Sequence, residues 1–510
     1  MYEEEKAKKE SATVRLAEEG VSRADDNQAT NRYHFDAHDL DQVQRRLTQR
    51  HIAGTIGTGL FLGSGGALAK AGPLGALIAY VLVGTVAYST VCSVGEMTTW
   101  APVSGTFPHF AARWVDPAFG FAVGWNYFYT IVISTPVEVT AATILLTFWD
   151  PDVSKFLSEI RGYKILLQTK HQVIYIAVVC ITIFTLIIGL IIAGLVIDLG
   201  GGPDHSRIGF RYWNQPGSIA RANLVSNINT DRFLAILSVI VQASFSFQGM
   251  EFLAVLGILI IGMLVAYDDA NLLQNSGTAS ESPFVIAFNR ASVKVLPHII
   301  NAAVFTSAFS AGNSQLFCSS RILYGLALRG QAPKVFTICT KSGLPIVAIL
   351  TASSFALLSF MSVSSGANTV FNWLVNLSTT GGFFGWFSIN FTYIFFRRGL
   401  DAQGFDVKKN VYNSPLQPFI AYWGCFWTFI FMFINGFRVF FSFNVTDFLT
   451  AYINIVIFLS LYFFWKIFKR TSFWKPEEMD FVTGIPSIEE TELPEVPPRN
   501  VWEKIAEALF

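Results

Sequence analysis

The hydrophobic positions of this chain come in long runs separated by short polar connections. About ten runs reach the roughly 18 residues that a membrane-spanning helix needs. They lie near 53–70, 74–99, 119–149, 172–197, 234–266, 297–328, 344–362, 370–396, 418–438 and 446–468. An even number of crossings places both chain ends on one side. The basic residues say which side. Arg45, Arg46 and Arg50 precede the first run, and Arg329, Lys334 and Lys341 follow the sixth. Arg397, Arg398, Lys408 and Lys409 follow the eighth, and Lys466, Lys469 and Arg470 follow the tenth. All fall on one face, which the positive-inside rule makes cytosolic.

Several runs are interrupted at mid-depth by residues that loosen a helix: Pro136, Gly312, and the pair Gly381 and Gly382. Irregular backbone at that depth is tolerated only where it is buried in protein or lines a cavity. The stretch GTIGTG, Gly54 to Gly59, belongs to this class. A glycine-rich phosphate loop needs a strand before it and a helix after it. This stretch sits inside the first apolar run, so it predicts a helix break whose free N–H groups can hold a carboxylate.

Composition agrees with a chain living mostly in lipid: 52% hydrophobic, 14% charged and a mean hydropathy of +0.45. A soluble domain carries roughly 25% charged residues. Zero formal net charge gives no sign of a nucleic-acid partner. The charged start MYEEEKAKKE has no apolar region of a cleavable signal peptide. The cysteines Cys92, Cys180, Cys318, Cys339 and Cys425 are scattered singly, as small buried residues rather than a metal or disulfide framework. No metal cluster, paired nucleophile and base, or phosphate loop in context supports an enzyme.

The run RRLTQRHIAGTIGTGLFLGSGGALAKAGPLGALIAY resembles the first two helices of fungal amino-acid permeases of the amino acid–polyamine–organocation superfamily. The likeness continues through VGEMTTWAPVSGTFPHFAARWVDPAFGFAVGWNYFY, FSFQGME, NAAVFTSAFSAGNSQLFCSSRILYGLALRGQAPK and FWKPEEMDFVTGIP. It covers nearly the whole chain after about residue 42. The resemblance implies an all-α fold of two inverted five-helix repeats, with first and sixth helices broken at mid-membrane. It implies proton-coupled uptake of L-amino acids across the plasma membrane, with no cofactor beyond the proton. The expected organisation is a disordered cytosolic tail over 1–50, a permease domain over 51–468 and a cytosolic tail over 469–510. Lys6, Lys8 and Lys9 are then plausible acceptors for ubiquitin ligase machinery, or simply solvated charge.

The site residues follow from the same resemblance. Gly54, Thr55, Ile56, Gly57, Thr58 and Gly59 would hold the substrate carboxylate. Phe247, Gln248, Gly249, Met250 and Glu251 would face its amino group and side chain. Ser310, Ala311, Gly312, Asn313 and Ser314 would add contacts, and Ser378 and Thr379 would tune specificity. Each has an ordinary alternative: Phe247 as one of 48 phenylalanines, Ser310 and Ser314 as small packing residues between helices, Glu251 as a capping or gating carboxyl. Glu138 lies inside an apolar run, where a carboxyl is expensive and faces a cavity or partner. It is the expected proton-coupling group, with a structural hydrogen-bonding role as the alternative. Glu96, near a helix end, reads as structural or gating.

The chain departs from the family in three places. Arg50, His51, Ile52 and Ala53 run straight into Gly54, about one helical turn too soon. HQVIYIAVVCITIFTLIIGLIIAGLVIDLGGG begins like the family's fourth helix and ends like its fifth. LAILSVIVQASFSFQGMEFLAVLGILIIGMLVAY joins the sixth-helix break to the end of the seventh without the basic loop between. Its length as helix, about 51 Å, is short of two spans. Two such fusions leave about ten helices and place 199–232, normally outside, on the cytosolic side. They also motivate a second reading: a product that does not transport, either a nutrient sensor or a chain shortened by a lost or misread gene segment.

Overall fold

The computed structural model describes residues 59–103, 105–146, 148–149, 186–203, 205–247, 251–273, 279–293, 295–340, 343–407 and 410–485. Residues 54–58 of the first glycine stretch, Gln248, Gly249, Met250, the tail lysines and the first of the three departures lie outside the described residues. Among the described residues there are helices and no strand. We number the principal helices α1 Ser64–Trp100, α2 Thr106–Trp114, α3 Pro117–Leu146, α4 Leu186–Gly201, α5 Ile228–Leu237, α6 Ile240–Ser246 and α7 Glu251–Leu264. There follow α8 Pro283–Arg290, α9 Leu296–Leu328, α10 Ile346–Ser365, α11 Ala367–Ala402, α12 Phe419–Ile434 and α13 Val445–Lys469. Five of these (α1, α3, α10, α12 extended to Phe440, and α13) are long and apolar enough to cross a membrane. With the apolar α4 and α7, this is an all-α integral membrane architecture.

The centre is α3, which packs against α9, α11, α13 and α2. Its start is set by Asp116, whose carboxylate accepts the Ala118 N–H at 2.8 Å just ahead of Pro117. That pairing of acidic cap and early proline is a strong helix start. The same carboxylate is fully buried and pairs with Lys466 of α13. At the periphery, the Asn444 side chain accepts the N–H groups of Thr446 and Asp447 and so begins α13.

Two ends of the bundle can be told apart from contacts alone. Arg329, after α9, reaches Gly105; Met479 and Phe481 press on Gly399 of α11; Lys466 meets Asp116. This end carries the basic residues that the sequence puts on the cytosolic face. The opposite end is marked by Gly72, where α1 breaks with φ +73° ahead of Pro73. A side chain there would meet Ala220 N at 2.7 Å and Ser218 O at 2.9 Å. The backbone groups freed by the break are satisfied by the same loop: Ala220 N–H donates to Ala71 O at 3.0 Å, and Leu74 N–H to Ser218 O at 2.8 Å.

That contact corrects one expectation. The loop containing 218–220 sits on the Gly72 end, opposite the basic residues, whereas 199–232 was expected on the same side as them. The reason is visible in α5 to α7. Ile236 of α5 lies against Gly75, and a Cβ at Gly84 would meet the ring of Phe247 at 3.2 Å and Val255 at 4.0 Å. A Cβ at Gly262 would meet Pro73 at 2.8 Å. The chain therefore descends from Gly75 to the level of Gly84, turns, and climbs back to Pro73. The fused segment is a re-entrant helical hairpin and adds no crossing. α6 ends at Ser246 and α7 starts at Glu251, and residues 248–250, where the sixth-helix break is expected, lie outside the described residues.

Candidate functional site

A cavity of about 220 Å³ opens beside this turn. It extends from Ser244, Phe245 and Phe247 across to Phe107 of α2, between α3 and α11. An apolar cavity of about 150 Å³ is enough to admit benzene, so this one accommodates an amino acid of moderate size. Of the residues expected at the site, Phe247, Ser378 and Thr379 line it. Phe247 is buried, and its ring lies 5.8 Å from that of Tyr80, whose hydroxyl is 3.0 Å from Ser246 Oγ. These contacts hold the turn against α1.

Gly59 is described, and it belongs to the same neighbourhood. A Cβ on it would lie 2.9 Å from Phe245 O and 3.1 Å from Ser246 Cα. The end of the first glycine stretch therefore approaches the end of α6 backbone to backbone. Glu251 opens α7, one turn beyond Phe247. Ser310, Ala311 and Asn313 are buried in the middle of α9, and they do not line the cavity. Ser310 Oγ and Asn313 Oδ1 have no hydrogen-bond partner among the described residues. Glu138 is 1% exposed on α3, four residues after Ser134, which does line the cavity.

The structure adds residues that the motifs did not single out. Asn126 of α3 lines the cavity and joins three helices: its Nδ2 donates to Gly381 O at 2.9 Å, and its Oδ1 accepts from Asn454 Nδ2 at 2.9 Å. Asn435 Nδ2 of α12 donates to Thr380 Oγ1 at 2.6 Å. Together they fix the Gly381–Gly382 segment of α11 against α3, with no room at Gly381 for a side chain beside Thr130. Three polar side chains buried within apolar runs, Asn126, Thr380 and Asn454, were the available signal, because buried polar groups are hydrogen-bonded.

Nearer the basic end, Glu96 of α1 is buried at 1% exposure. It accepts the Tyr393 hydroxyl and the Ser414 N–H, the latter at 2.7 Å. Its own carbonyl accepts Asn410 Nδ2 at 3.0 Å. The carboxylate therefore ties α1 to α11 and to the connection after it. Among the described residues no group of His, Cys, Asp and Glu is arranged to hold a metal.

The model of the amino acid permease family matches residues 47–257 and 252–478. The two matches meet at the third departure, where the turn runs into α7. The proline-specific permease of Emericella nidulans is 35% identical, with 90% of this chain and 91% of that protein covered. The lysine-specific permease of Saccharomyces cerevisiae is 33% identical, covering 93% and 84%, and the dicarboxylic amino acid permease of the same yeast is 33% identical, covering 87% and 79%. Among solved structures, a manganese transporter of Eremococcus coleocola superposes with a TM-score of 0.44 at 13% identity, covering 82% and 92% of the two chains.

Proposed function

The chain belongs to the amino acid permease family, and from that premise we propose that it takes up L-amino acids across the plasma membrane by proton coupling. The carrying observation is the cavity itself, which is lined by Phe247, at the start of the expected sixth-helix break, and by Ser378 and Thr379. Backbone freed at such a break offers N–H and C=O groups to a zwitterion. In this reading Gly54 to Gly59 hold the carboxylate and the turn at 247–251 faces the amino group. Glu138, buried one turn below Ser134, takes up and releases the proton. Ser310, Ala311 and Asn313 act from α9 in another conformation of the transport cycle. Both chain ends lie in the cytosol, where Lys6, Lys8 and Lys9 are available to ubiquitin ligases.

The test is uptake of a labelled amino-acid mixture at acidic external pH, in cells lacking their own permeases, with surface expression measured in parallel. Uptake abolished by a protonophore and by Glu138→Gln is the expected result. Uptake that survives both would remove proton coupling through Glu138.

A second reading has its own observation. The re-entrant hairpin returns at the level of Gly84, and the family match splits there. A chain missing the basic-side halves of two helices is suited to binding without alternating access. Surface expression with bound substrate and no uptake would establish a sensor or a transport-dead product. Sequencing the transcript across Val255 and Leu256 would show whether the shortening is real.

A further inference from the structure

The motif FWKPEEMDFVTGIP follows α13 and lies outside the cavity lining. It grips two helices at the basic end of the bundle. The first is α2. The last carbonyls of a helix have no partners within it. Trp474 supplies donors there: its N–H to Val115 O at 2.9 Å and its Nε1 to Ala112 O at 2.9 Å. Arg113 of α2 completes the grip. Its Nε donates to Asp480 O at 2.7 Å and its Nη2 to Thr483 O, and Nη2 also lies 2.9 Å from Asp480 Oδ2. Asp480 Oδ1 shapes the turn that presents these acceptors, by receiving the N–H groups of Val482 and Thr483.

The second helix is α11. Gln403, just past its end, donates Nε2 to Pro476 O at 2.9 Å and to Met479 O at 2.7 Å. Met479 and Phe481 are buried against Gly399. The Phe481 ring lies 5.6 Å from that of Trp114 on α2 and 5.8 Å from that of Phe396 on α11, so it bridges the two helices.

Both helices carry walls of the cavity. Phe107 stands in the first turn of α2, 4.7 Å from the Tyr127 ring, and Ser378, Thr379 and Trp386 stand on α11. We propose that residues 474–483 form a strap that sets the spacing of α2 and α11 and thereby governs access to the cavity from the basic end, with Arg113 as its positioning residue. A contact on one helix alone would not resist their parting; a segment fastened to both does. An exposed ion pair would add little. Arg113 is only 12% exposed and spans a carboxylate and two carbonyls with one planar fork, which makes it a strong fastening. For its consequence in uptake the inference rests on the reading of this cavity as the transport site.

The test is cysteine accessibility in the full-length chain. Ser134→Cys marks the cavity from α3, with the five native cysteines replaced by serine. A small membrane-impermeant thiol reagent is applied to sealed vesicles of each orientation, and the labelling rate is read from each side. Arg113→Ala, and independently Phe481→Ala, should raise the rate from the basic end about ten-fold and leave the rate from the Gly72 end unchanged. Arg113→Lys keeps the charge without the fork and should fall between wild type and Arg113→Ala. Gln403→Ala frees the strap from α11 alone and should raise the same rate; it is the variant read if the others fail to reach the membrane. Unchanged labelling from the basic end would overturn the strap. Equal gains from both ends would overturn it as well, because general loosening of the bundle has no preferred side. Labelling uses no amino acid, so failure of the amino-acid reading would show separately, as absent uptake with this pattern intact.

Discussion

The two halves of the cavity wall are built differently. On one side α3 and α11 are long helices, with α3 buried around most of its circumference and bound to its neighbours by side-chain amides and an ion pair. On the other side the lining comes from α6, which stands with α5 and α7 in a run of short helices that returns at half depth. Among the described residues the hairpin meets α1 mainly by apolar contact, with the hydroxyl pair of Tyr80 and Ser246 near its tip. Its neighbour α4 meets α7 through Gly194 against Ile260 and Leu264. In lipid, apolar faces gain little from meeting each other, so close backbone approach and polar ties are what hold helices together. The α3 side has both in abundance, and the hairpin side relies mainly on the first. The two walls of the site are thereby held in place by different chemistry.

The sharpest way to break this difference is to attack the α3 wall at its ion pair. Asp116→Ala removes the cap of α3 and leaves Lys466 facing an apolar end. Breaking a buried pair costs about 3 kcal/mol or more, and the partial exposure of Lys466 holds the figure at the low end of that range. Unfolding in detergent followed by tryptophan fluorescence should show the loss, and Asp116→Asn should recover part of it by retaining the cap. A loss no larger than that of an ordinary surface substitution would mean that the α3 side is not held by this pair.

Next in size are substitutions at the α3–α11 seam. Asn126→Ala leaves the Asn454 Nδ2 without its acceptor and removes the cross-helix bond to Gly381 O, at about 1–3 kcal/mol. Gly381→Ala forces a methyl onto Thr130, whose position is fixed by its own bond to Asn126 O, at about 1–3 kcal/mol. Gly382 is the control. Nothing lies within 4 Å of a Cβ there, so Gly382→Ala should be neutral or stabilising by up to about 1 kcal/mol through helix propensity. Equal effects at the two glycines would show that the seam is not closely packed.

On the hairpin side the same experiment should give less. A Cβ at Gly194 would lie 2.6 Å from Ile260 Cγ2 and 3.1 Å from Leu264 Cδ1, a less close approach than that to Thr130 Oγ1 at Gly381, and Gly189 faces open space. Gly194→Ala should therefore cost less than Gly381→Ala, and Gly189→Ala nothing measurable beyond propensity. A larger effect at Gly194 than at Gly381 would invert the comparison.

Much of this arrangement was legible in the sequence, and the exceptions are instructive. The apolar runs marked the helices, because that signal is local, whereas the break in α1 at Gly72 and Pro73 was read only as a gap between two runs. The side on which 199–232 lies was not legible. Length alone said that the fused segment was too short for two spans, and it is equally compatible with one crossing or with a hairpin that returns. Only the contacts of Gly75, Gly84 and Gly262 along α1 decide between them. Phe247, Ser378 and Thr379 came from motifs and line the cavity. Asn126 and Asn454 did not stand out, because a single amide in an apolar run does not reveal which distant helix it meets. Ser310, Ala311 and Asn313 came from the same motif logic and lie apart from the cavity, so a motif located them on a helix but could not orient that helix's face.

The mildest perturbation concerns how the hairpin is anchored at the Gly72 end. Asp231, in the first turn of α5, is buried and receives the N–H groups of Leu224, Val225 and Asn223 and the guanidinium of Arg221. Burial on its own would raise its pKa. The amides of Leu224 and Val225, then Arg221 and Asn223, outweigh that and hold the carboxyl at about 2. An unfolded Asp titrates near about 3.9. With the folded value depressed, the unfolded chain binds the proton more readily, so the contribution is fully present above about pH 4 and is lost as pH falls through about 2. The stability gap between wild type and Asp231→Asn should thus be constant from neutral pH down to about pH 5 and shrink steadily below that. The loop it organises supplies Ser218 and Ala220 to the broken α1, so the variant should also loosen the Gly72 break, seen as faster amide exchange at Leu74 and Ala220. A gap that persisted undiminished at the acid extreme would show that shape, not the charge of Asp231, holds this loop, and that the hairpin side has no electrostatic anchor at all.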